Sequence, residues 1–161
     1  MKIGREIKTA SPEETLSLAE KFSSVLRAGD LVALRGNLGS GKTVFVKGLA
    51  KGLGVKDYRY VNSPSFVVIK EYPGKMPLYH FDVYRLDSRG FCETMDYEKY
   101  FYSTGVTAVE WADKIQELLP EEYFEVFMEP GEENSRTIGF TAVGEDAKRR
   151  LDVFLASGED I

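Results

Sequence analysis

The chain has 161 residues, 43% hydrophobic and 29% charged, a balance expected of one soluble globular domain with a single sizeable core. Its 21 Lys and Arg against 26 Asp and Glu leave a net charge of −5, so no global basic field is available to hold nucleic acid. The lone Cys92 excludes an intrachain disulfide and a multi-cysteine zinc site; with no apolar run near membrane-spanning length and no signal-like apolar core after Met1, a cytoplasmic location without membrane contact is expected.

Met1 to Thr9 alternates weakly and is expected as a strand at a sheet edge. Ser11-Pro12-Glu13-Glu14 announces a helix, with Ser11 as N-cap, Pro12 at the first helical position and Glu14 reaching back as the capping-box partner. Leu18, Phe22, Val25 and Leu26 give that helix its buried stripe, and Gly29 ends it. Leu31-Val-Ala-Leu34 then reads as a short buried strand, and Val44 to Leu53 as a helix with Val44, Phe45, Leu49 and Leu53 inward. Between them lies Gly36-Asn37-Leu38-Gly39-Ser40-Gly41-Lys42-Thr43, which fits the phosphate-loop pattern G-x-x-x-x-G-K-[ST] at every fixed position. The spacing has a chemical reason. A triphosphate needs several backbone N–H groups aimed into one concavity, and Gly36, Gly39 and Gly41 let the backbone curl that tightly. Lys42 supplies charge to the β- and γ-phosphates, the Thr43 hydroxyl is placed for Mg²⁺, and the following helix turns its positive end toward the same anion.

Beyond that helix, Lys47, Lys51, Lys56 and Arg59 form the best local basic patch for a partner or RNA, although such clusters also serve as plain solvated surface. Residues 56 to 65 make a polar connector in which Ser63 and Ser65 can meet Mg²⁺ or the γ-phosphate, or simply build a turn around Pro64. Phe66 to Tyr72 and Leu78 to Tyr84 read as strands joined by a Pro73 to Pro77 hairpin. Asp82 and Glu110 each close an apolar strand, and both compete for the metal and water-positioning roles that phosphate-loop chemistry requires. His80, the only histidine, reads as a strand residue. Trp111 either packs in the core or stacks on the base; no Asn-Lys-x-Asp stretch exists to read guanine, so adenine is expected. A short helix over Ala112 to Leu119, strands over Tyr123 to Met128 and Arg136 to Val143, and a helix over Gly144 to Leu155 complete one domain spanning residues 1–155, with a mobile tail over 156–161.

In order and identity these motifs resemble the TsaE (YjeE) family, small bacterial ATPases of the machinery that makes threonylcarbamoyladenosine in tRNA. The resemblance runs from Ser11 to the region of Arg136 and rests on Gly36 to Thr43, Ser63-Pro-Ser-Phe66, His80-Phe-Asp-Val-Tyr-Arg85 and Glu110-Trp111. It implies an α/β fold of phosphate-loop type, three layers with a mixed, mostly parallel sheet and helices on both faces. It implies ATP hydrolysis with Mg in support of TsaB and TsaD type proteins, and tRNA reached only through that complex. By position, Thr43 and Glu110 are implied to hold Mg²⁺, Asp82 to support the metal and attacking water, Trp111 to lie against adenine, and Ser11 to touch nucleotide. The family usually carries Ser-Pro-Thr where this chain has Ser63-Pro64-Ser65, which keeps the hydroxyl and drops a methyl.

Gln116 is the only glutamine, placed away from the loop, and no arginine is recognisable as an in-cis finger, a group contributing on the order of 10³ to 10⁵ in rate. Slow hydrolysis by the chain alone is therefore expected. The alternative is a small-molecule kinase, which needs a lid, usually arginine-bearing; residues 86–104 are the only insertion of sufficient length, and Arg89 is their single arginine. A third possibility is a nucleotide-binding module without turnover.

Overall fold

A run apolar at every position, Leu31-Val32-Ala33-Leu34, is stable as a strand only when both its faces are covered. The computed structural model describes residues 5–37, 39–64 and 68–157, and in it this run forms β2 (Leu31–Arg35), at the centre of the sheet. The other strands are β1 (Arg5–Thr9), β3 (Ile69–Tyr72), β4 (Leu78–Asp82), β5 (Val106–Glu110), β6 (Tyr123–Pro130) and β7 (Arg136–Val143). Their order is β1-β7-β6-β2-β5-β4-β3. The inner four strands, β6, β2, β5 and β4, run parallel. The margins run antiparallel, β3 against β4 on one side, β7 against β6 and β1 against β7 on the other.

Side chains of β2 divide between two layers, as the period of a strand dictates. Val32 and Leu34 face α1 (Pro12–Phe22), α2 (Lys42–Gly52) and α5 (Glu145–Ser157), joining a core that includes Leu18, Phe45 and Leu151. Phe22 is the hub of that layer, with ring centroids 5.1 to 6.2 Å from Phe45, Phe124, Phe140 and Phe154. Removing such a fully buried ring costs about 3–5 kcal/mol. Leu31 and Ala33 face the opposite layer, built from α3 (Ser88–Thr94), α4 (Glu98–Phe101) and a 3₁₀ segment, Ala112–Leu118. The mixed, mostly parallel sheet with helices on both faces is thus the architecture expected from the sequence, of the phosphate-loop α/β type.

Local differences have local causes. The cap of α1 forms with Ser11 Oγ accepting from Glu14 N–H at 3.2 Å, but the Glu14 carboxylate accepts from Ala10 N–H at 3.0 Å rather than from the cap residue itself. The segment after Trp111 winds as 3₁₀ helix because Trp111 enters it in the left-handed region and Ile115 breaks helical geometry within it. Helix α5 runs through Ser157, two residues past the expected end. Residues 86–104 form no free flap: Phe91 and Phe101 are buried and stack edge-on against Phe81, both at 5.7 Å. The hairpin between β3 and β4 is present; the start of its first expected strand, at Phe66, lies outside the described residues.

Candidate functional site

Parallel strands deliver their C-terminal ends to one edge of the sheet, and that edge holds the site. The loop leaves β2 at Gly36 and enters α2 at Lys42. At Gly36 the backbone adopts φ +148°, and a Cβ would fall 2.5 Å from the Met128 carbonyl oxygen. Gly41 has φ +99°, a left-handed turn that aims the start of α2 at the concavity. Ser40 N–H donates to Asn37 O at 3.1 Å, closing the tip. Leu38, expected among the phosphate-binding residues, lies outside the described residues, as does Ser65.

A cleft of about 270 Å³ is lined by Gly39, Ser40, Gly41, Lys42 and Thr43 of the loop, together with Ser63, Asp82, Glu110 and Trp111. Two of these elements are fixed by register: β4 pairs with β5 so that Asp82 stands directly opposite Glu110, and β2 pairs with β5 so that Leu34 does too. The two acids that compete in the sequence reading are therefore neighbours at the foot of one cleft. Asp82 accepts from Ser63 Oγ at 2.6 Å and from Tyr84 N–H at 3.0 Å. Glu110 meets His80, its Oε2 2.5 Å from Nε2, with both side chains buried. Lys42 turns its ammonium back onto the loop, donating to Gly36 O and, at 3.2 Å, to Asn37 O. Burial holds the Lys42 ammonium below its ordinary pKa of 10.5, against the opposing pull of Glu110, Asp82 and Asp113.

Trp111 adopts φ 64°, an uncommon conformation for a bulky residue that costs of order 1–3 kcal/mol. It carries the indole over Lys42, whose Nζ lies 4.3 Å from the ring centroid, and beside Tyr84 at 4.8 Å. One face of the ring is thus occupied by the loop lysine. Ser11 stands in its cap, at the start of the helix packed on α2, and does not line the cleft.

Three features escaped the sequence reading. His80 is more than a strand residue, since it holds Glu110; its two-residue spacing from Asp82 puts both on one face of β4, but the strand that brings Glu110 alongside is not marked in the sequence. Arg35, the residue before the loop, pairs with Glu125 at 2.9 Å and donates to Gln116, while Gln116 Nε2 donates to Tyr123 OH at 2.9 Å. Arg136 reaches the outside of the loop, and no local pattern marks it.

As a chemical device the cleft offers hard oxygen donors, Thr43, Asp82 and Glu110, beside a lysine and loop amides. This donor set fits Mg²⁺, which takes one or two carboxylates along with phosphate oxygens. Among the described residues no group of three or more His, Cys, Asp and Glu forms a ready-made metal cage. No helix among them is long and apolar enough to cross a membrane.

Comparison with known proteins bears on identity. A family model described as "Threonylcarbamoyl adenosine biosynthesis protein TsaE" matches residues 9–138. A "tRNA threonylcarbamoyladenosine biosynthesis protein TsaE" from Bacillus subtilis is 45% identical over 138 residues, 85% of each chain. Its namesake from Aquifex aeolicus is 40% identical over 71% of this chain and 81% of its own. The crystal structure of YdiB from Bacillus subtilis superposes with a TM-score of 0.82 at 36% identity, covering 98% of both chains. The chain belongs to the TsaE family of threonylcarbamoyl adenosine biosynthesis proteins.

Proposed function

We propose that this chain is a Mg²⁺-dependent ATPase whose turnover serves tRNA threonylcarbamoyladenosine biosynthesis in a complex with TsaB and TsaD type proteins. One observation carries the reading: two buried strand-end carboxylates face a phosphate-loop lysine and threonine across a single cleft. Loop amides and Lys42 bind the phosphates and offset their charge; Thr43 and Glu110 would hold Mg²⁺, which when bound draws charge from the leaving phosphate oxygens. Asp82, oriented by Ser63 and the Tyr84 amide, is placed to fix the attacking water and accept its proton. His80 keeps Glu110 in position.

Lys42 serves the β- and γ-phosphates, so an indole lying on it belongs to the phosphate end of the cleft. Stacking on adenine requires Trp111 to leave the lysine; the nucleotide contact expected of Ser11 is a separate one, made from its cap position. Slow turnover by the chain alone is part of the proposal, with the partners supplying what completes the site. The packed aromatic anchors of α3 and α4 disfavour the kinase alternative, which needs a closing lid.

Steady-state ATP hydrolysis, with and without TsaB and TsaD, tests the proposal. The expected result is a slow rate for the chain alone, a faster one with both partners, and a loss of about a hundredfold or more for Glu110→Gln, whose amide is a poorer Mg²⁺ ligand. Unchanged turnover in that variant, or equal and fast hydrolysis without partners, defeats it.

A further inference from the structure

The phosphate loop is held from outside as well as from within. Arg136, at the start of β7, sends its guanidinium across to the loop: Nε donates to Ser40 O at 2.8 Å and Nη2 to Gly39 O at 3.2 Å. Nη1 donates to Ser135 O at 2.7 Å, which fixes the plane of the group. The side chain starts from well-paired backbone, because β1 aligns Thr9 with Arg136 on one side and β6 aligns Pro130 with it on the other. Contact with the loop is close, since a Cβ on Gly41 would lie 3.3 Å from Arg136 Nε. Among the described residues no carboxylate forms an ion pair with Arg136, whose hydrogen bonds go to backbone carbonyls.

In a trans peptide the C=O and the next N–H point in opposite directions. A donor that draws the Ser40 carbonyl outward therefore turns the Gly41 N–H inward, toward the cleft. The Gly39 carbonyl is drawn the same way, and the Ser40 N–H of that plane is turned to Asn37 O. We infer that Arg136 is a positioning residue for the phosphate loop, fixing the Gly39–Ser40 and Ser40–Gly41 peptide planes, and with them the direction of the Gly41 N–H, before any phosphate arrives, and placing a positive charge behind them. This rests on the proposed nucleotide binding. Arg136 acts through the loop and touches no reacting atom.

The test is calorimetric titration of the full chain with ADP and Mg²⁺, alongside ATP turnover, for the parent, Arg136→Met, Arg136→Lys and Lys42→Ala. Arg136→Met is expected to weaken ADP binding about tenfold and to raise KM by a similar factor with kcat held within about twofold. Arg136→Lys keeps one charged donor and is expected to recover part of that loss. ADP affinity equal to the parent in Arg136→Met overturns the inference, as does an equal fall in kcat with no recovery by lysine, the mark of a merely structural role. Should Arg136→Met fail to fold, deuterium exchange at the Gly39 to Gly41 amides of Arg136→Lys decides: faster exchange supports the inference and unchanged exchange overturns it. Lys42→Ala separates the two readings. If it too binds ADP like the parent, nucleotide binding itself fails; if it loses ADP while Arg136→Met does not, only the role of Arg136 fails.

Discussion

The two ends of β2 both carry buried charge, and they handle it in opposite ways. Before its first residue, Asp30 takes both of its carboxylate oxygens to Arg150, at 2.6 and 2.9 Å, while Arg150 also reaches Asp146 at 3.0 Å and the Val25 carbonyl at 2.7 Å. Four of the five guanidinium N–H groups are thus engaged, and the pKa is raised first by the hydrogen bonds to Asp30. Beyond the last residue of β2, Lys42, Asp82 and Glu110 share a cleft, yet among the described ion pairs none joins the lysine to either acid. Lys42 is occupied by loop carbonyls and an indole, Asp82 by a serine and an amide, Glu110 by a histidine. Opposite charges kept apart at such cost in desolvation are the arrangement that the proposed nucleotide binding calls for. A closed ion cluster fixes structure; an open one leaves its charges available to the proposed ligand.

Breaking the closed cluster should give the largest effect on stability. Arg150→Ala leaves Asp30 half-buried without its partner and is expected to destabilise the chain by about 3 kcal/mol, read from urea unfolding, with ADP affinity as in the parent. Lys42→Met should do the reverse. Its unfolding midpoint is expected to match or exceed that of the parent, because a desolvated charge is gone, while ADP affinity falls on the order of a hundredfold with the loss of charge-assisted bonds to phosphate. If both variants lose stability alike, the distinction between the clusters is wrong.

The smallest effect lies in pH. Burial depresses the Lys42 pKa, so the folded chain releases this proton before the unfolded chain does. Between that depressed value and 10.5, the unfolded state binds more protons at this site, and the Lys42 contribution to stability rises with pH. Phosphate binding has the opposite dependence, since it needs the ammonium. ADP affinity should decline on the alkaline side at a pH below 10.5, and Lys42→Arg, which stays charged, should flatten the decline.

Sequence alone exposes what depends on neighbours along the chain. Gly36 to Thr43 is legible because the loop's curl and its chemistry are both local, and the strand-end acids are legible because an apolar run ending in a carboxylate is a local pattern. Register is not local. Nothing in the order of residues says that Asp82 stands opposite Glu110, that His80 reaches Glu110 diagonally between β4 and β5, or that Arg136 crosses from β7 to a loop ninety-odd positions earlier. The boundary of α5 and the 3₁₀ winding after Trp111 escaped for a related reason: tertiary packing, and one left-handed residue, overrode helical spacing.

Trp111 is the only tryptophan in the chain, and its indole lies against the cation that the proposed phosphate binding would draw away. An excited indole responds strongly to a charge at that distance. If the proposed nucleotide binding holds, intrinsic fluorescence is expected to shift as ADP is titrated in, a label-free optical gauge of whether the lysine leaves the ring.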